Sequence, residues 1–119
     1  MVKNKIRIAV ASSDGIVVNN HFGRASTFYI YDVDADKEIR LVETRKVKPI
    51  CDGGNHEDNR LKDTVVKFRD CDYLLVSRIG NSAAALAESY GILVCEIPGE
   101  IGESIKQLIK NIKVKKYFE

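Results

Sequence analysis

Two loops carry the residues whose types suit metal binding. The first, NNHFGRAS (19–26), contains His21, one of only two histidines in the chain. The second, CDGGNH (51–56), places the Cys51 thiol and the His56 imidazole on either side of a glycine pair. Imidazole nitrogen and thiolate sulfur bind borderline and soft metals, and glycines let a loop turn tightly enough to aim both side chains at one point. The spacing also fits a turn that contains an unrelated cysteine and histidine.

The ligand set is incomplete for a structural metal site. Closed zinc sites take four ligands in paired spacings, and this chain supplies no convincing set of that kind. An incomplete set suits an open site, where a preformed metal species brings most of its own ligands. Taken alone, His21 fits an exposed loop histidine equally well.

A second candidate lies where SRIGNSAAA (77–85) passes from a strand to a helix. Open α/β sheets bind ligands at the carboxyl ends of their strands, and a helix N-terminus offers unpaired N–H donors to an anion. Arg78 adds positive charge there, and Asn81 or Ser82 is the expected N-cap. The same residues fit a capped strand-to-helix turn with no ligand. The chain has no GxGxxG or Walker pattern, so a nucleotide site is poorly supported.

Carboxylates raise the alternative of a metal-dependent nuclease or hydrolase. Asp14 follows the first predicted strand, but such chemistry needs several convergent carboxylates around the metal. Asp32, Asp34 and Asp36 surround a turn and are expected to point to solvent. Triads of nucleophile and base cannot be recognised from spacing, because their members meet only in space.

Composition excludes several classes of function. The 119 residues suffice for one domain with a real core, and a net charge of +2 lacks the global field typical of nucleic-acid binders. No apolar run approaches the roughly 20 residues that a membrane span needs. The basic run KQLIKNIKVKKYFE (106–119) is interpreted as a solvated helix face and tail.

The cysteines and the N-terminus indicate a reducing compartment. Cys51, Cys71 and Cys95 are odd in number and widely separated, and the opening MVKNKIRIAVASSDG (1–15) has a short β-branched run instead of a cleavable leader. A cytoplasmic location with reduced thiols is therefore expected. Cys71 and Cys95 lie in apolar strands and are expected to be small core residues.

Hydrophobic periodicity predicts the order β-β-β-α-β-α-β-α. The predicted strands are 5–11, 27–34, 39–47, 71–80 and 92–97, and the predicted helices run from Asp58 to about Phe68, over 81–91 and over 98–112. The strand at 39–47 alternates apolar and charged residues, so one wet face is expected. A meander followed by crossover units predicts a mixed sheet with helices on its faces.

Several segments together resemble one known family. The stretch NNHFGRASTFYIYDVD resembles the signature of the dinitrogenase iron–molybdenum cofactor biosynthesis family, which includes NifX, NafY and the C-terminal domain of NifB. ICDGGNHED, LLVSRIGNSAAALAESYGILVCEI and GEIGESIKQLI resemble its later segments. The resemblance covers about residues 5–112, nearly all of a single domain spanning 1–119.

The resemblance implies both a fold and a role. The fold is a ribonuclease-H-like α/β fold with a mixed five-stranded sheet flanked by helices. The role is non-enzymatic: members bind iron–sulfur precursors or the iron–molybdenum cofactor and pass them between nitrogenase cofactor assembly proteins. The cluster-contacting histidine of the family falls on His21 and its second-loop cysteine on Cys51, while His56 matches less regularly.

These residues suggest a carrier of an anionic metallocluster. Neutral His21 is expected to bind one iron and Cys51 thiolate another, while Arg24, Arg78 and the helix start at Asn81 offset the cluster's charge. The sequence leaves open whether Arg24 faces the cargo or pairs with a carboxylate such as Asp32. Two other classes also stay open: an anion or small-molecule module outside nitrogen fixation, and an enzyme, either a thiol redox catalyst or a metal-dependent hydrolase.

Overall fold

The alternating residues of KIRIAVA form the central strand of a five-stranded sheet. The computed structural model describes residues 5–49 and 57–118, with side chains for all of these except 57–59 and 113–118. The elements are β1 (Lys5–Ala11), β2 (Val17–Val18), a 3-10 turn (Phe22–Arg24), β3 (Thr27–Asp34), β4 (Ile39–Lys46), α1 (Glu57–Val66), β5 (Tyr73–Val76), α2 (Asn81–Ser89), β6 (Leu93–Glu96), β7 (Gly99–Glu100) and α3 (Ile101–Phe118).

The sheet order is β4-β3-β1-β5-β6. Strand β3 pairs antiparallel with both β1 and β4, whereas β1, β5 and β6 are parallel neighbours. Four strands therefore point the same way and end together at what we call the carboxyl edge, at Ala11, Lys46, Val76 and Glu96. Because β4 and β5 share this direction, the chain between them has to return from the carboxyl edge to the start of β5, and α1 makes that return.

Helices cover both faces of the sheet. Alternate residues of β1 point to opposite sides: Ala9 and Ala11 pack with α1 and α2, whereas Ile8 and Val10 pack with α3. On the α1 side, the Phe28 ring lies 4.5 Å from that of Phe68, measured between centroids. On the other side, α3 contributes the buried residues Ile101, Ile105 and Leu108. Within the described residues, no helix combines the length and apolarity that crossing a membrane requires.

The predicted order of the main elements and the mixed five-stranded sheet are confirmed. Two short strands were not predicted: β2 and β7 pair antiparallel, with Val17 opposite Glu100 and Val18 opposite Gly99. Strands of two residues are too short to leave a periodic pattern. The last helix begins at Ile101 instead of residue 98 and extends to Phe118. The ribonuclease-H-like classification stays a prediction.

Strand β4 pairs antiparallel with β3, but it is more exposed than the single wet face that was expected. Leu41 and Val42 are 52% and 41% exposed, on consecutive positions of the strand. Strand β4 lies at the edge of the sheet, and its register shifts beside Ile30, so that Val42 is the extra residue of a bulge. Alternation along the sequence could not show this shift.

Candidate functional site

His21 lies at the carboxyl edge, beside the end of β5. Beyond the last pairing of β1 with β5, the segment Asn20–Phe22 runs parallel to the chain leaving β5, and His21 forms an isolated bridge with Arg78. The Ser77 N–H donates to the Asn20 carbonyl at 3.1 Å, and the Phe22 N–H donates to the Arg78 carbonyl at 2.9 Å. The backbone on both sides of His21 is thus tied to the β5 end.

Phe22 anchors this loop in the core. Its side chain is 2% exposed and meets the Phe28 ring edge-on, with the centroids 6.0 Å apart. The 3-10 turn that follows is closed by a hydrogen bond from the Arg24 N–H to the His21 carbonyl at 3.1 Å. His21 itself is exposed, so a buried aromatic residue holds an accessible imidazole at a defined place.

Arg24, Arg78 and Asn81 are exposed, as is His21. Among the residues that the structure describes, none forms an ion pair or a side-chain hydrogen bond with these four side chains. The alternative in which Arg24 pairs with Asp32 is wrong, because the Asp32 carboxylate is held by Arg7. Within the described residues, two guanidinium groups and an imidazole at this edge therefore have no competing side-chain partner.

The N-terminus of α2 also faces this edge without a side-chain cap. Gly80 is the N-cap residue, with extended backbone dihedrals, and as a glycine it gives the first turn no side-chain hydrogen bond. The expectation that Asn81 or Ser82 caps the helix is wrong, since Asn81 is already its first residue. The first N–H groups of a helix have no intrahelical acceptor, so they can donate to an anion that also meets Arg78.

A carboxylate that was not predicted fastens the turn between β5 and α2. Glu96 Oε2 accepts a hydrogen bond from the Ile79 N–H at 2.8 Å. Glu96 pairs with Val76 in the sheet, and the Ile97 N–H donates to the Val76 carbonyl at 3.1 Å. The only sequence signal was an acidic residue at the end of a predicted strand, which did not identify its partner.

Cys51 and His56 lie outside the described residues, so their predicted roles stay predictions. On the near side of that segment, the Val47 N–H donates to the Ser26 carbonyl at 2.9 Å, close to the carboxyl edge. On the far side, α1 begins at Glu57. Within the described part of the chain, no cluster of three or more His, Cys, Asp or Glu side chains could hold a metal ion.

The carboxylates considered for hydrolysis stabilise turns and strands. Asp14 Oδ1 accepts from the Ile16 and Val17 N–H groups at 2.9 and 3.1 Å, and these bonds lower the pKa of Asp14. Asp34 Oδ1 closes the turn before β4. The expectation that Asp32 points to solvent is wrong, because it accepts two hydrogen bonds from Arg7.

Cys71 is a core residue, as predicted. It is 3% exposed, and burial raises the pKa of its thiol to about 12, with the nearby Asp70 charge acting in the same direction. The thiol is therefore protonated at neutral pH and is a poor nucleophile. Cys95 is half-buried and packs against the cluster on the α3 side.

Comparison with known proteins gives the same family that the motifs suggested. The family model for the dinitrogenase iron–molybdenum cofactor matches residues 4–111. The FeMo cofactor biosynthesis protein NifB of Chlorobaculum tepidum is 32% identical over 117 residues, which cover 90% of this chain and 27% of that protein. NifB of Frankia alni is 34% identical over 106 residues, covering 87% and 21%. The chain thus spans about a quarter of the length of these relatives, or less.

Solved structures share the fold. The crystal structure of PH0822 superposes with a TM-score of 0.68 at 25% identity and covers 89% of this chain and 92% of its own. The NMR structure of TM1290, a Thermotoga protein placed in the DUF35 family, gives a TM-score of 0.57 at 25% identity, with 88% of both chains covered. Since the family model spans nearly the whole chain, this protein belongs to the dinitrogenase iron–molybdenum cofactor family.

Proposed function

We propose that this chain binds an iron–molybdenum cofactor, or an iron–sulfur precursor of it, at the carboxyl edge and passes it to a nitrogenase cofactor assembly protein. Membership of the family supports a role in cofactor biosynthesis. The observation that carries the proposal is the state of His21: its ring is exposed, its backbone is tied to the β5 end, and no described side chain occupies its nitrogens.

The local charge suits an anionic cargo. Arg78 is the bridge partner of His21, Arg24 lies in the turn that follows it, and α2 begins at Asn81. A helix N-terminus contributes about 0.3–1 kcal/mol toward a nearby anion, and each arginine adds a charge that no described carboxylate neutralises. The chain carries only +2 overall, so this attraction is local to the site.

Few protein ligands suit a cargo that must leave again. A single neutral imidazole can bind one iron and exchange readily, whereas a four-ligand site would hold the metal. Cys51, which lies outside the described residues, is the proposed second ligand, as thiolate, on the resemblance of its segment to the family. We assign no catalytic step to the chain, and we place the transfer in the cytoplasm, without nucleic acid or membrane.

Anaerobic loading tests the proposal. The protein is incubated with isolated iron–molybdenum cofactor, desalted and assayed for iron and molybdenum per chain. Wild type should retain the cofactor, and His21→Ala should bind it at least about tenfold more weakly, since a metal–ligand bond is lost. Arg40→Gln, an exposed change on β4, is the matched control. Failure of the wild type to retain metal would rule out the carrier role.

The uncapped start of α2 supports a second candidate, an anion-binding module that needs no metal. In that case inorganic phosphate should raise the melting temperature, because a ligand that binds only the folded state stabilises it. Arg78→Gln should remove this stabilisation and His21→Ala should leave it unchanged. Loss of both phosphate and cofactor binding on His21→Ala would count against a separate anion module.

A further inference from the structure

The chain that leaves β5 is fastened from two sides. On one side, the Asn20 carbonyl and the Phe22 N–H bond to Ser77 and Arg78. On the other side, Glu96 Oε2 accepts the Ile79 N–H at 2.8 Å, beyond the point where backbone pairing between β5 and β6 ends. Arg78 lies between these attachments, two residues before Gly80, the N-cap of α2.

We propose that Glu96 is a positioning residue for the cargo site, acting through the turn that carries Arg78. This inference rests on the proposed function, since it concerns the same site. The Glu96 side chain reaches past the last pair of the two strands, Val76 and Glu96, and gives the Ile79 N–H an acceptor beyond that pair. Without this bond, the described hydrogen bonds of the turn are those to Asn20 and Phe22 and the helical bond from Ala84 to Gly80, while the Ile79 side chain keeps its packing in the core. The backbone that follows Arg78 then loses its acceptor on the β6 side, so the directions of the guanidinium and of the first N–H groups of α2 toward His21 are less fixed.

The carboxylate has two effects of opposite sign. Its hydrogen bond orders the turn and favours binding, whereas its negative charge repels an anionic cargo at the same edge. Both effects suit a carrier, because the site is ordered before the cargo binds and its affinity stays low enough for release. Substitutions can separate them, since glutamine keeps an acceptor oxygen at the same reach without the charge, and aspartate keeps the charge but is one methylene shorter.

The first measurement is amide hydrogen exchange at Ile79 in the absence of cargo. Glu96→Asp should speed exchange of this amide about fivefold to tenfold, as expected for the loss of one hydrogen bond, while Glu96→Gln should retain its protection. Glu88→Gln and Glu88→Asp, on the exposed face of α2, are matched controls that should leave Ile79 unchanged. Equal exchange in wild type and Glu96→Asp would overturn the inference.

The second measurement is the affinity for isolated iron–molybdenum cofactor. Glu96→Asp should weaken binding about fivefold, and Glu96→Gln should bind at least as tightly as wild type, with slower release. A purely structural role would lower the melting temperature of Glu96→Asp and leave its affinity unchanged, and that result would overturn the inference. If wild type shows protection at Ile79 but binds no cofactor, the carrier proposal fails, and the positioning role fails with it. Unprotected Ile79 in a chain that does bind cofactor would remove only the role of Glu96.

Discussion

Two pairs of arginines in this chain show how position decides what a charged side chain does. Arg7 and Arg45 lie on the α1 and α2 face of the sheet and share one partner, Asp70, at 3.1 Å from Arg7 Nη1 and 2.7 Å from Arg45 Nη2. Arg24 and Arg78 lie at the carboxyl edge, where no described carboxylate pairs with them. The first pair is saturated by the protein and the second is available to a ligand.

The saturated pair holds secondary structure together. Arg45 Nη1 also donates to the Lys67 carbonyl at 2.7 Å, just beyond the end of α1, and its guanidinium lies 5.9 Å from the centre of the Phe68 ring. Hydrogen bonds from Arg45 and then Arg7 hold the pKa of Asp70 well below its usual range. The network therefore ties α1 to β4 and β1 and offers no free charge for binding.

Phe22→Ala should have the largest effect, because it should lower both the free energy of unfolding and the affinity for the cofactor. Phe22 belongs to the core and also anchors the loop that carries His21. Truncating a buried phenylalanine costs about 3–5 kcal/mol in free energy of unfolding. We expect a loss of that size in urea unfolding, together with weaker cofactor retention, since the His21 loop loses its anchor.

Phe22→Leu is the matched control for that change. It preserves most of the buried volume, so we expect a smaller loss of stability and near-normal cofactor retention. Cofactor retention that is unchanged in Phe22→Ala, despite a large loss of stability, would show that the core anchor does not position His21.

The double variant Arg24→Gln/Arg78→Gln should weaken binding and leave stability almost unchanged. Neither guanidinium has a described partner to lose, so the free energy of unfolding should change by less than about 0.5 kcal/mol. Cofactor affinity should fall about 10- to 30-fold, because two charges that face an anion are removed. The affinity is measured by titration with isolated iron–molybdenum cofactor at low and high salt.

The pair Arg40→Gln/Arg69→Gln has the same change in net charge at exposed sites away from the edge and serves as the control. It should bind cofactor as wild type does. An equal loss of affinity in both double variants would mean that net charge, and not the carboxyl edge, attracts the cargo.

The sequence predicts the strands and helices better than the contacts within the candidate site. The ranges 5–11 and 27–34 match β1 and β3 because alternation and β-branched or aromatic residues act locally along the chain. His21 could be predicted as a loop residue before an aromatic strand. Its bridge to Arg78 could not, because that contact depends on which strands are neighbours in the sheet.

The hydrogen bonds of the carboxylates were the least predictable feature. Asp32 was expected in solvent because it lies near a turn, yet it lies opposite Arg7 across the β1–β3 pairing. Glu96 and Ile79 meet because β5 and β6 end together at the Val76–Glu96 pair, from which the carboxylate reaches forward to the Ile79 N–H. Such contacts depend on strand register and on where a strand stops, and neither leaves a periodic signal.

Asp70→Asn tests the saturated pair and should cost about 1 kcal/mol at neutral pH, a modest value because the Asp70 side chain is 44% exposed and its ion pairs are screened. The folded pKa of Asp70 lies below its unfolded value of about 3.9, so its contribution is complete above that pH and is lost as the pH falls toward the folded pKa. The difference between variant and wild type should therefore shrink on acidification. Urea unfolding across this range measures it, with Asp63→Asn on the exposed face of α1 as control. A difference that stays constant with pH would exclude the carboxylate's charge as its cause.

Lys5→Gln should have the smallest effect on the free energy of unfolding, because Lys5 lies at the exposed end of the ion-pair network of Arg7 and Arg45. Lys5 Nζ lies 3.5 Å from Asp32 Oδ2, but the lysine side chain is 62% exposed, whereas Arg7 gives Asp32 two hydrogen bonds from a side chain that is 27% exposed. Hydrogen bonding to Arg7 is the main reason that the pKa of Asp32 is lowered. We expect Lys5→Gln to change the free energy of unfolding by less than about 0.5 kcal/mol, and Arg7→Gln to cost several times more. Equal losses of unfolding free energy in the two variants would mean that long-range charge, and not the paired hydrogen bonds of the guanidinium, stabilises this side of the sheet. The two pairs of arginines would then differ only in their exposure.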